Sequence, residues 1–400
     1  MYDVMSGIRV VDMSSWTFVP AAATVLADWG AEVIKVEDPV RGDPQRGLTN
    51  ALTGRDGINP MIELPNRGKR SLGLNLAGDP GHEVFVRLIR TADVFMTNFL
   101  PAVREKLGVT LADLRSINPN IIYALGTAQG SSGPELHRGG FDLATAWARS
   151  GVAHRMTPPG GEPPNQPGSL GDLTAGLTLA GGVAAALLKR ERTGIADQVE
   201  VSLYGIGMWW MAQAITAGSV GIETTFRTRA NPTNSLVNYF PTSDGRWICL
   251  TMLQSDRWWS DLCHHLERDD LTDDPRFSTE RARMANVSEF TAVLDAVFRT
   301  RTLQEWRNRL ATAEGVWAPV LSPAEVADDP QAISNGYLPE VDRGNGTAYR
   351  TVSSPMQFGG SAIGALGGAP EHGQHTESIL LELGFTWDEI IDLKEVGSVQ

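Results

Sequence analysis

The sequence predicts an α/β fold, with a parallel sheet under helices early in the chain and a smaller α+β domain later. Three observations carry this. From Gly7 to Thr127, short apolar runs alternate with amphipathic stretches, the order that parallel sheets require. From Arg227 the character changes to Pro, Asn and Gly turns with a hairpin signal at Asp244 and Gly245. The 400 residues also exceed one ordinary hydrophobic core.

Gly7–Ser14 is a first strand, and Pro20–Gly30 a helix opening on Pro and closing on Gly. Ala31–Asp38 is a second strand, Ser71–Leu76 a third, and Pro80–Ala92 an amphipathic helix. Asp93–Phe99, Arg104–Pro119 and Ile121–Thr127 repeat strand, helix, strand. Pro167–Gly194 is a long apolar helix, followed by a strand at Asp197–Ser202 that runs into a second apolar helix. The expected domain boundaries are 1–205 for the large domain, 206–230 for a linker helix and 231–318 for the small domain. A linker at 319–345 follows, and 346–400 rejoins the large domain. "FGGSAIGALGGAPEHG" reads as a loop, and the segment from Trp317 as leading away from the small domain.

Composition narrows the function. With 42% hydrophobic and 20% charged residues the chain is of the soluble globular class, and a net charge of −13 disfavours a nucleic-acid surface. Two cysteines make no disulfide framework and suit a reducing cytoplasm. "CHH" at Cys263–His265 lacks a second Cys/His pair at ligand spacing, so no metal site is expected. The uncharged stretch Leu173–Leu188 is short and carries three glycines, which favours a buried helix over a membrane span. The turn after the first strand, "SSWTFVP", has no glycine, which argues against NAD.

One acid stands at the mouth of the apolar helix: Asp172, after Gly168 and Gly171. Asp is a favoured helix cap. A carboxylate of ordinary pKa is also ionised at neutral pH and able to act as a nucleophile without a general base.

Ten segments in order carry a resemblance that covers nearly the whole chain. They include "LADWGAEVIKVEDP", "NRGKRSLGLNL", "ADVFMTNFLP", "KLGVTLADLRSINPNIIYA", "GLTLAGGVAAALLKRERTG" and "GQHTESILLELGFTWDEI". The chain resembles the class III (CaiB/BaiF-type) CoA-transferases, a family that also contains α-methylacyl-CoA racemases. The resemblance implies a Rossmann-like large domain, a small middle domain and an interlocked homodimer. It implies coenzyme A as co-substrate, with an acyl-CoA and a carboxylic acid as partners. It matches the catalytic aspartate to Asp172 and an assisting acid to Asp142. CoA-binding positions carry over to Thr17, Leu74, Asn98, Phe99, Lys106 and Arg138. Gly168 and Gly171 are expected to let backbone approach the reacting carbonyl.

Transferase is favoured over racemase. The racemases' His–Asp dipeptide matches Phe141–Asp142 here, and phenylalanine carries no proton. The chain departs from the family at Phe18 and Val19, whose bulk narrows the thioester site, and at Asp38, a basic position elsewhere that leaves Arg41 as the nearby cation. Trp209, Trp210, Trp258 and Trp259 are read as packing residues before pocket residues.

Overall fold

The computed structural model describes residues 2–48, 57–222, 227–343, 346–364 and 366–400. Six strands make the large sheet: β1 (Arg9–Asp12), β2 (Glu32–Glu37), β3 (Arg70–Gly73), β4 (Val94–Thr97), β5 (Ile122–Thr127) and β6 (Gln198–Ser202). Their order is β3-β2-β1-β4-β5-β6, and every adjacent pair is parallel. The order reverses between β1 and β4. A crevice therefore opens at the carboxyl ends of these two strands, where open parallel sheets take their ligands.

The central strands read as near-continuous apolar runs because both faces are covered. Val10, Val33, Val94 and Ile122 face one core with the Phe18–Asp28 and Leu170–Thr193 helices. Val11, Ile34, Phe95 and Tyr123 face the other, against Val84, Phe85 and Leu88 of Asp79–Arg90 and Ile379 and Leu380 near the C-terminus. The Phe18–Asp28 helix is buried along its whole length. Its neighbour approaches closely because Gly176 has no side chain; a Cβ there would stand 2.9 Å from the Phe18 carbonyl oxygen. Leu170–Thr193 is long and apolar enough to cross a membrane by composition, yet Ala175, Leu179, Ala180 and Val183 are fully buried in this protein core.

Two compact units emerge: Met1–Thr224 with Pro330–Gln400, and Thr225–Asp329. The smaller unit begins before Asn231 and ends beyond Ala318, so its boundaries differ from those drawn on turn residues. In it, β7 (Val237–Pro241), β8 (Trp247–Thr251) and β9 (Trp317–Pro319) form an antiparallel sheet. The segment from Trp317 thus does not lead away: Trp317 pairs with Leu250 as an edge strand. Trp259 and Trp306 are buried in this unit's core, and Trp258 packs against it. In the larger unit, β10 (Glu340–Asp342) pairs with β11 (Ala348–Arg350) and with β12 (Leu366–Gly367), which lies inside the expected loop.

The helix expected over Arg104–Pro119 is two helices, Pro101–Leu107 and Leu111–Ile117. Gly108, at φ 64°, ends the first in the left-handed region, and Thr110 starts the second with a reciprocal Thr110–Asp113 capping box.

Candidate active site

The crevice contains a cavity of about 780 Å³. Its walls come from the segments after β1 (Ser15, Trp16, Phe18), after β4 (Asn98 to Pro101) and after β5 (Ala128 to Ser131), with Asp172 on the Leu170–Thr193 helix. Strand ends thus supply the site, as the topology requires.

Asp172 is not the helix cap. Ser169 holds that position at φ 54°, a left-handed conformation uncommon for a residue with a side chain, and Asp172 lies in the first turn. Among the described residues no group donates a hydrogen bond to its carboxylate, which is half-buried. Burial, and then the negative charge of Asp142, push its pKa up to about 7. The sequence expectation of full ionisation at neutral pH is therefore corrected: near pH 7 the carboxyl is divided between its two forms.

Asp142 is buried beside it. Its Oδ1 accepts the N–H of Leu143 at 2.8 Å, while Oδ2 has no partner among the described residues. It precedes a π-helical turn, Leu143–Arg149, a rare geometry that favours functional sites. Gly171 explains how the two acids come together. A Cβ there would stand 2.7 Å from the Asp142 Cβ and 3.0 Å from the Ala146 Cβ, so only glycine permits this approach. Gly171 thus packs on Asp142, a role not expected of it, whereas Gly168 has open space around it.

The loop after β1 is held from below by buried charges. Lys35 on β2 donates to the Ser14 carbonyl at 3.0 Å and to Asp43 at 2.9 Å. Lys69 donates to Asp12 at 2.7 Å and to the Pro20 carbonyl at 2.8 Å. Burial, with the Lys35 charge adding to it, pushes Lys69 down to about 8 against the opposing pull of Asp12. Asp43 in turn accepts the Trp16 N–H at 3.2 Å and the Gln45 N–H at 3.0 Å. Trp16, which lines the cavity, sits at φ 68° in the left-handed region. Such strain persists where the surroundings over-determine it.

The residues matched to CoA contacts divide. Asn98, Phe99 and Arg138 line the cavity. Asn98 also brackets the loop, accepting the Ser15 N–H at 3.1 Å and donating to the Ser15 carbonyl at 2.7 Å. Arg138 forms an exposed pair with Glu135 at 3.2 Å. Thr17, Leu74 and Lys106 do not line it. Thr17 is buried and its hydroxyl accepts from Gln45; Leu74 is core, bridged to Val399; Lys106 is exposed on the Pro101–Leu107 helix. Phe18 lines the cavity as its bulk suggested, whereas Val19 is buried beside Gly126. Arg41 pairs with Asp38 on the surface, away from the cavity. None of Trp209, Trp210, Trp258 and Trp259 lines it.

Sequence reasoning missed Trp16, Arg104 and Gln129. Arg104 lines the cavity with its Nε buried and unpartnered. The signal for it was local: Arg104 and Lys106 lie two apart on one helix and so face differently.

Comparison with known proteins gives the family. The profile of "CoA-transferase family III" matches residues 5–376. The chain is 32% identical over 394 residues to the (R)-2-hydroxy-4-methylpentanoate CoA-transferase of Clostridioides difficile, covering 98% of each chain. It is 34% identical over 388 residues to a probable fatty acyl-CoA transferase of Mycobacterium tuberculosis, covering 94% of this chain and 97% of that one. A CaiB/BaiF family protein from Brucella suis superposes with a TM-score of 0.83 at 27% identity, covering 95% of this chain and 99% of that one.

Proposed function

The chain belongs to CoA-transferase family III and is an acyl-CoA transferase; on that premise we propose that Asp172 carries the transfer. The ionised carboxylate attacks the thioester carbonyl, a C–O bond forms, the C–S bond breaks, and CoA leaves as thiolate from a mixed anhydride. The thiolate attacks the aspartyl carbonyl and expels the donor's acid as a carboxylate, leaving an aspartyl-CoA thioester. An incoming carboxylate attacks that thioester and releases CoA thiolate again. The thiolate then takes the incoming acyl group and regenerates Asp172. No redox partner is needed, and each displacement conserves charge.

The observation that carries this reading is a half-buried carboxylate on a cavity wall with no hydrogen bond from the described residues to satisfy it. A merely structural acid would be paired. The first-turn N–H groups of its helix offer donors to charge developing at the carbonyl. Asp142 destabilises the free carboxylate and so favours its acylated, neutral form. Asn98 and Phe99 border the pantetheine path, and Arg104, with Arg138 at the rim, supplies positive charge for phosphates. The racemase reading is not favoured, because Phe141 occupies the position of the acid–base histidine and the named relatives above are transferases.

The finer architecture belongs to the same proposal: a Rossmann-like large domain in an interlocked homodimer, working in the cytoplasm, where free thiols such as Cys249 and Cys263 persist. Steady-state kinetics test the mechanism. Parallel double-reciprocal lines for donor and acceptor are expected, and Asp172→Ala should lower kcat by a factor on the order of a thousand or more. Normal turnover by that variant overturns the reading.

A further inference from the structure

The same cavity carries information on which acyl groups it accepts. Trp16 and Phe141 meet edge to face, with centroids 5.4 Å apart and planes at 89°. Both line the cavity with Phe18, Leu203 and Asp172. Phe141 is 57% exposed, an apolar ring left uncovered at the site. The backbone of its neighbour Trp16 is held in place, its N–H tied to Asp43 and that of the preceding residue to Asn98.

Charge points the same way. Asp142 keeps a buried oxygen without a partner, and among the described residues no cation offsets the effect of burial and Asp142 on Asp172. The cavity's basic side chains are Arg104, His137 and Arg138; Arg138 pairs with Glu135, and Arg104 lies on the segment after β4 within reach of the Tyr123 hydroxyl. A second carboxylate on an acyl chain seated against Phe141 would add a third negative charge beside Asp172 and Asp142, where neither arginine of the cavity offsets the charge at Asp172. A ring or alkyl chain meets apolar surface instead.

Resting on Asp172 as the acyl-accepting group, we propose that the enzyme takes apolar monocarboxylic acyl groups, selected by the Trp16–Phe141 wall, and rejects acyl groups that bear a second carboxylate.

The test measures kcat/KM for CoA transfer to isotope-labelled propionate from hexanoyl-CoA and phenylacetyl-CoA, against succinyl-CoA and glutaryl-CoA. The wild-type enzyme should prefer the first pair by a factor on the order of 100. Phe141→Ala should lower kcat/KM for hexanoyl-CoA and phenylacetyl-CoA by about tenfold while inhibition by free CoA stays unchanged. Phe141→Arg should narrow the gap by accepting the dicarboxylic donors. Equal kcat/KM for the two classes, with Asp172 still required, overturns the substrate class alone. Equal losses for both classes in Phe141→Ala overturn the selecting wall. Transfer from no donor, or transfer that survives Asp172→Ala, overturns the reading on which the proposal rests.

Discussion

At the residue scale, one carboxyl group bears two opposed demands. Asp172 must be ionised to attack, yet burial and Asp142 hold its pKa at about 7. In the free enzyme kcat/KM should therefore fall in proportion to the ionised fraction as pH drops below about 7 and level off above it. A pH profile flat down to pH 5 contradicts this. The same shift bears on stability. Unfolded, the group titrates near 3.8, so between 3.8 and about 7 the native state holds the proton that the unfolded state releases. Stability from this group is present at low pH and is lost as pH rises through that window. Asp172→Asn should accordingly raise Tm at pH 8 and change it little at pH 4, a stability gain made at the expense of activity. Its helix and flanking glycines singled Asp172 out only as a candidate cap, and the resemblance supplied its proposed role. Its pKa was not legible, because Asp142 lies thirty residues earlier and nothing local reveals their contact.

At the scale of elements, two contacts set the site. The start of the Leu170–Thr193 helix lies against Asp142 only through Gly171. Gly171→Ala should displace Asp142 and lower kcat by a factor on the order of 100, since small misplacements near reacting groups are costly. Gly176→Ala, farther along, should instead cost about 1–3 kcal/mol of stability from overpacking against Phe18. Urea titration and kinetics separate the two effects. The loop after β1 depends on Lys35, fully buried with Asp43. Lys35→Met strands that charge and should cost about 3–5 kcal/mol in urea unfolding. Alternation of apolar runs made the strands readable and their parallel pairing followed. The left-handed Trp16 was unreadable, since neither Gly nor Asn marks it and the buried ion pairs that hold it come from separate strands. Helix ends were misread where caps cut an otherwise continuous pattern, as at Gly108 and Thr110.

At the scale of the molecule, the larger unit leaves apolar side chains uncovered on adjoining helices: Trp209 is 78% exposed, with Leu188 and Ile215 also open. The proposed homodimer gives them a partner. Tm should then rise with protomer concentration, and sedimentation should show a dimer; a monomer with a concentration-independent Tm contradicts it. The smaller unit was legible as a change in composition, although its limits were not, because β9 returns to it after four intervening α-helices. The proposed transfer turns on a covalent bond to Asp172, and trapping reads that bond directly. The enzyme is incubated with an acyl-CoA, quenched with hydroxylamine and digested, and the peptide containing Asp172 is weighed. A hydroxamate at Asp172 is the predicted result. An unmodified peptide, with deuterium exchanged at the acyl α-carbon instead, would contradict the account.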